Sequence, residues 1–296
     1  MSGNELDRIN QSQQERLSNI DFRAYFLGEI SRNDLIGKFG IKMAAATRDL
    51  KLYQELAPRN IFYDPKSRVY KPSANFKPLF EYPIERALAA LTHGFGDDFV
   101  SYHKPLIYSD LSAKLNKPTL SNLATITKAI YQNKVLNISY RSLSSGKTSR
   151  EIIPFALVDN GLRWHIRAYD RKRERFSDFV ITRIEEPSIL ELEIVREHEF
   201  KEEDIQWNRI VELEIVPHPS LNFSETIEHD YDMENGVLKV KIRATQAGYL
   251  LRLWNVDCST DHSLVGNEYH LWLKNREALY GVDNLMLAPG YATNDA

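Results

Sequence analysis

The stretch Gly40-Ile41-Lys42-Met43-Ala44-Ala45-Ala46-Thr47-Arg48-Asp49-Leu50 decides how the first part of the chain is read. Ala46, Leu50 and Tyr53 recur at i, i+4 and i+7, which predicts a helix from about Lys42 to Leu56 with one apolar face turned inward. Met43, Ala44, Thr47, Arg48 and Lys51 then share the opposite stripe, with Lys42 at its start. Small residues on that stripe allow close approach to another surface. Thr47, Arg48 and Lys51 supply the donors that reach phosphates or base edges.

Working upstream, Leu17, Ile20, Ala24 and Leu27 fall at helical spacing within Gln11 to Glu29. Ser31, three residues ahead of Asp34, is an N-cap signal for a short helix that ends at Gly40. Downstream, Pro58 stops the long helix. Ile61-Phe62-Tyr63 and Arg68-Val69-Tyr70 then flank the turn Asp64-Pro65-Lys66-Ser67, which predicts a hairpin carrying Lys66 and Arg68. Helix, short helix, glycine turn, longer helix and hairpin is the order of a winged helix-turn-helix. The competing reading is a plain three-helix domain whose polar face is only solvated.

The rest of the chain changes character twice. At 296 residues with 43% hydrophobic and 27% charged residues, it exceeds one ordinary core and predicts several soluble domains. A lone cysteine, Cys258, rules out an intramolecular disulfide framework and a cysteine-built zinc cage. The first thirty residues lack a signal-peptide pattern and no run is apolar enough to span a membrane, so a cytoplasmic protein without membrane partners is expected. The net charge of -3 conceals a division: +4 over residues 1–77, -1 over 78–119, +7 over 120–184 and -13 over 185–296. Two basic segments imply two anion-facing surfaces, although uneven solvated charge would give the same count.

Proline breaks at Pro78, Pro83 and Pro105 and one helix at Ile84 to Thr92 mark a connector. Helical spacing returns at Leu123 to Gln132, then gives way to short strands joined by tight turns, which predicts a small barrel. Within Leu162 to Asp170, alternation puts Arg163, His165, Arg167 and Tyr169 on one face and Trp164, Ile166 and Ala168 on the other. Cations beside an aromatic ring can pair phosphates and stack a base, so this face predicts an anionic nucleotide or single-stranded nucleic acid as effector. Ordinary solvated strand residues over a Trp164 core are the alternative.

These residues resemble a WYL domain. Ile138-Ser139-Tyr140 matches the family's aliphatic-x-Tyr strand, Arg150 and Pro154 match its Arg and Pro, Trp164-His165-Ile166 stands at the name-giving triplet, and Phe179 to Ile184 matches the closing motif. Gly40 to Leu50 likewise resembles the turn and recognition helix of bacterial winged-helix repressors. The resemblance implies a transcriptional regulator of the kind found beside phage-defence operons such as BREX. It also implies an Sm/SH3-like barrel, Tyr140, Arg150 and Arg183 as additional ligand residues, and a C-terminal extension used for dimerisation.

In that C-terminal region Val211 to Val216, Val237 to Ala244 and Tyr269 to Leu273 read as strands and Gln246 to Trp254 as a helix. Leu250, Leu251, Leu253 and Trp254 fit either monomer core or interface. The expected architecture is multidomain α+β: a winged helix-turn-helix at 1–77, a helical linker at 78–122, a WYL domain at 123–195 and a small α+β dimerisation domain at 200–296. The expected partners are double-stranded DNA carrying an inverted repeat and a second copy of the chain. No metal, cofactor or catalytic residue is expected, because HExxH, GxSxG, GxGxxG and Walker patterns are missing; Gly146-Lys147-Thr148 reads as a hairpin turn. A nucleotide- or nucleic-acid-processing enzyme and an adaptor that does not bind DNA stand as the alternatives.

Overall fold

The computed structural model describes residues 9–93 and 117–291. The remaining parts of the sequence-based assignments, including the break at Pro105, lie outside these residues. Two compact units interleave along the chain, one formed by the described residues within 1–157, 170–173 and 181–194 and the other by those within 158–169, 174–180 and 195–296.

The first unit begins with α1 (Gln11–Phe26), α2 (Arg32–Phe39) and α3 (Met43–Leu56), followed by the hairpin β1 (Ile61–Asp64) and β2 (Val69–Pro72). Local chemistry sets each boundary. Asn10 caps α1 by accepting the Gln13 N–H at 2.9 Å. Ser31 and Asp34 form a reciprocal capping box on α2: the Ser31 hydroxyl accepts the Asp34 N–H at 3.2 Å, and the Asp34 carboxylate accepts the Ser31 N–H at 2.7 Å. Gly40 closes α2 with φ at 63°, in the left-handed region that a side chain would strain. Leu17, Ile20, Ala24, Leu35, Ala46, Leu50, Tyr53, Ile61 and Tyr70 make one core. A bridge between Ile30 and Tyr70 attaches the hairpin to the helix connection.

Asp21 is the polar centre of this domain. It accepts the hydroxyl of Tyr53 on α3, the Tyr82 hydroxyl at 2.5 Å, and the backbone N–H groups of Leu79 at 3.0 Å and Phe80 at 3.4 Å. Burial pushes the carboxyl above its ordinary range, and these donors oppose that shift. Asn60 extends the network by donating to the Tyr53 hydroxyl at 3.0 Å and to the Lys77 carbonyl at 2.6 Å.

Beyond the hairpin lie α4 (Ile84–His93) and α5 (Leu120–Tyr131). α5 completes the end of α1, because Thr127 donates its hydroxyl to the Phe26 carbonyl at 2.7 Å and Gln132 donates to the Leu27 carbonyl at 3.1 Å. Gly28 permits this approach: its φ is 83°, and a Cβ there would lie 2.4 Å from the Gln132 amide nitrogen. Helix α1 therefore ends at Phe26, short of the Glu29 expected from spacing alone.

β3 (Leu136–Ser142) pairs antiparallel with β4 (Gly146–Asp159) and with β7 (Ile184–Ile189). β4 runs straight through Pro154. Its register with β3 stops at Ile152, so the missing N–H of Pro154 costs that pairing nothing. β5 (Trp164–Asp170) neighbours β6 (Arg175–Val180). Arg183 lies in a 3-10 turn, Ile181–Arg183, within the stretch that matches the closing motif. β7 borders only β3 and β6 borders only β5 among the described strands, so the sheet is open where a closed barrel was expected.

The C-terminal part holds α6 (Ile205–Asn208), β8 (Ile210–Pro217), α7 (Ser224–Asp230), β9 (Leu238–Arg243), α8 (Ala244–Leu253), β10 (Val256–Asp257) and β11 (Leu271–Leu273). Its sheet has the order β10-β11-β8-β9. Val211, Leu213, Ile215, Leu251, Leu271 and Leu273 form its core, which places Leu251 inside while Leu253 is exposed. Among the described residues no helix is long and apolar enough to cross a membrane. The network at Asp21 gives a stability prediction: Asp21→Ala leaves two tyrosine hydroxyls and two backbone donors without their acceptor and should cost roughly 2–4 kcal/mol. Urea denaturation of the full chain measures it, and a change under 0.5 kcal/mol would contradict the central role of Asp21.

Candidate functional site

The face of α3 predicted to meet DNA is exposed. Lys42, Met43, Ala44, Thr47, Arg48 and Lys51 are all solvent-accessible, whereas Ala46, Asp49, Leu50 and Tyr53 are buried. Arg48 and Asp49, adjacent in sequence, therefore do opposite things. Asp49 turns inward and holds α1, pairing with Arg16 Nε at 2.6 Å and accepting from Gln13 Nε2 at 2.9 Å. Thr47 gives its hydroxyl hydrogen to the Met43 carbonyl one turn back, at 3.0 Å. Lys51 forms a loose pair with Glu55 at 3.8 Å; both ends are exposed, so the lysine remains available to a phosphate.

The hairpin offers a second exposed group. Lys66 and Arg68 sit at its tip, with Arg68 in the left-handed region at φ 61°. Asp64 organises the turn by accepting the Lys66 N–H at 2.9 Å, the Ser67 hydroxyl at 2.7 Å and Lys71 Nζ at 2.7 Å. The bonds from Lys71 and Ser67 hold its carboxyl well below the usual range. Behind the tip, the Arg32 guanidinium lies 5.4 Å from the Tyr63 ring centre and 5.7 Å from that of Tyr70. The spacing pattern gave the exposed stripe of α3. It gave no signal for Asp49 or Arg32, whose partners are distant in sequence.

The residues expected to bind an effector fall into two groups. In the first unit, Tyr140 and Arg150 are buried and Arg183 is half-buried; Arg150 Nη1 pairs with Asp170 Oδ2 at 2.5 Å. In the second unit, Arg163 is half-buried, while His165, Arg167 and Tyr169 are buried along β5. Ile166 and Ala168 are buried as well, so neither face of this strand is open to solvent as alternation predicted.

The chain itself supplies the carboxylates that let this face be buried. Arg167 donates Nε and Nη2 to the two oxygens of Asp204 at 2.8 and 3.1 Å, and Nη1 to Asp178 at 3.1 Å. Burial opposes the charge of Arg167, but the two carboxylates outweigh it and raise the guanidinium further. Burial pushes Asp178 above its ordinary value despite the arginine. Tyr249 on α8 also bonds Asp178, and its ring centre lies 5.3 Å from that of His165. Tyr169 makes edge contacts with Phe176 at 5.1 Å and His198 at 5.5 Å.

A winged helix with a free basic face, a strand domain holding buried arginines and an α+β C-terminal domain define a class, the winged-helix transcriptional regulators of the WYL type. The family models agree piece by piece: residues 12–92 match the BrxR transcriptional regulator winged helix-turn-helix domain, 121–189 the WYL domain, and 210–279 the BrxR transcriptional regulator C-terminal dimerization domain. The chain is 32% identical over 280 residues to the DNA-binding transcriptional repressor CapW of Pseudomonas aeruginosa, covering 90% of each chain. It is 30% identical over 282 residues to the repressor of the same name from Escherichia coli strain KTE188, covering 91% of each, and 30% identical over 294 residues to that of Stenotrophomonas maltophilia, covering 94% of each. Among solved structures, proteasome accessory factor B/C of Arthrobacter aurescens is 16% identical with a TM-score of 0.27; the match covers 92% of this chain and 46% of that one. The protein belongs to the BrxR and CapW family of WYL-domain transcriptional regulators, a family of regulators and not of enzymes.

Asp49 separates folding from recognition. Asp49→Asn keeps the shape but weakens the hold on Arg16, and should cost about 1–3 kcal/mol of stability. At a temperature where the variant is folded, its operator affinity should stay within about twofold of the parent. Thermal melting and a shift assay together check both halves.

Proposed function

We propose that the protein is a homodimeric, DNA-binding transcriptional repressor that reads an inverted repeat beside a phage-defence operon and is modulated by a nucleotide or single-stranded nucleic acid at its WYL domain. The observation that carries the DNA-binding reading is the exposed stripe of α3, where Met43, Ala44, Thr47 and Arg48 stand clear of the core while Asp49, Leu50 and Tyr53 fix the helix from behind. Small side chains at Ala44 and Thr47 admit the helix to a major groove, and Arg48 carries the guanidinium fork that suits a guanine edge. Lys42, Lys51, Lys66 and Arg68 supply phosphate contacts, which position the protein without reading sequence.

The curated relatives are named DNA-binding transcriptional repressors, and this supports repression as the sign of control here. The match of residues 210–279 to a dimerization domain supports a two-fold protein on a two-fold site. The division of labour we assign is a winged helix at 1–77, a linker at 78–122, a WYL domain at 123–195 and a dimerisation domain at 200–296, working in the cytoplasm. Tyr140, Arg150, Arg163, His165, Arg167, Tyr169 and Arg183 are the residues we assign to the effector. Their support is the WYL match and the positive charge of that segment.

The test is a shift assay on the upstream region of the chain's own operon. Arg48→Ala should weaken specific binding by about 1–3 kcal/mol and relax sequence preference, whereas Lys51→Ala should weaken binding to all duplexes and reduce the salt slope by about one. Unchanged binding by the Arg48 variant across a salt series would remove α3 from the groove. Light scattering at micromolar concentration should give a dimer, and full-affinity binding of a monomer to one half-site would refute the inverted-repeat reading.

A further inference from the structure

The guanidinium of Arg167 is already occupied. Asp204 closes a two-pronged pair on it at 2.8 and 3.1 Å, Asp178 takes the third position at 3.1 Å, and all three residues are largely shielded from water. A bidentate carboxylate presents nearly the same pair of acceptors as two oxygens of a phosphate. Asp204 also has a second task. It caps α6 by accepting the Trp207 N–H at 3.1 Å, and the Trp207 carbonyl in turn accepts Arg243 Nη1 at 2.6 Å. The Arg243 guanidinium stands 4.5 Å from the Trp207 ring centre. One side chain thus joins the arginine of the effector domain to the β9–α8 junction, where Arg243 ends β9 and precedes α8.

We propose that Asp204 is a built-in competitor for the effector: its carboxylate occupies the fork of Arg167, a phosphate group of the effector displaces it, and the displacement reaches the C-terminal domain through α6, Trp207 and Arg243. This rests on the reading above that a phosphate-bearing anion binds the β5 cluster. A tethered carboxylate competes at high effective concentration, so a lone phosphate ion displaces it poorly. A phosphorylated strand adds aromatic contacts and further phosphates, which makes the arrangement selective for larger ligands. The coupling follows directly. The effector binds the state in which Asp204 has left Arg167 more tightly than the state in which it has not, and only such a difference shifts an equilibrium.

The decisive variant is Asp204→Asn in the full chain, because asparagine keeps an oxygen for the Trp207 N–H while removing the charge. The probes are fluorescent hexathymidylate and inorganic phosphate, measured by anisotropy and by competition. The D204N protein should bind hexathymidylate at least tenfold more tightly than the parent, and the strand should release it from operator at correspondingly lower concentration. Adding Arg167→Gln to D204N should abolish the gain. A gain for inorganic phosphate as well assigns the competition to the phosphate group alone; a gain only for the strand assigns it to a polymer, and both support the proposal. If D204N and the parent bind hexathymidylate equally while Arg167→Gln weakens both, the competitor is refuted and the effector reading stands. If neither probe binds parent or variant at millimolar concentration, the phosphate reading fails and takes the competitor with it. Should D204N fail to fold, Asp204→Ser restores a capping oxygen and answers the same question.

Discussion

A guanidinium cannot be buried alone, and the second unit is organised around that rule. Arg167 sits inside β5 with little access to water, so its charge must be met by carboxylates brought from elsewhere in the chain. Asp178 comes from the neighbouring β6 and Asp204 from the start of α6, 37 positions from Arg167. Tyr249 on α8 approaches the same cluster through Asp178 and packs against His165. Strand pair, short helix and C-terminal helix therefore converge because one cation has to be neutralised. Replacing it would disturb all three, since the cost of an orphaned buried carboxylate falls on whatever element carries it.

The winged helix solves a related problem with the opposite charge. Asp21 and Asp49 are both buried and both reach across helices, Asp21 from α1 to Tyr53 on α3 and Asp49 from α3 to Arg16 on α1. These two reciprocal contacts tie α3 to α1 beside the apolar face of Ala46, Leu50 and Tyr53, which sets the side of the helix that is buried. Arg48 and Lys51 lie on the opposite, exposed side of the helix. Recognition on one side of the helix thus rests on packing on the other, and Thr47 on the exposed side commits its hydroxyl hydrogen to the Met43 carbonyl.

The parts of this fold that the sequence discloses are those governed by near neighbours. The Ser31–Asp34 capping box, the Gly40 turn, the stripe of α3 and the Asp64–Ser67 hairpin all depend on residues within a few positions of one another, and each forms where local pattern places it. β5 shows where that reasoning stops. Alternation assigned Arg163, His165, Arg167 and Tyr169 to an open face, because a charged residue in a strand carries the same pattern whether its partner is water or a distant aspartate. Nothing near Arg167 announces Asp204. Pro154 lacks a donor, and it stands just beyond the last β4 residue that pairs with β3, where that ladder needs none.

Cys258 has a practical consequence. It is the lone cysteine of the chain, fully buried in the C-terminal core just after β10, with burial pushing its thiol up to about 12. Thiol-reactive dyes and spin labels therefore meet a protein that is chemically silent in its folded state. A single cysteine introduced at an exposed place on the hairpin, such as Ser67, becomes the sole reactive handle per protomer. In a two-fold assembly such a handle occurs twice, so one substitution furnishes a matched pair of reporters for the separation of the two wings, with no native residue needing removal first.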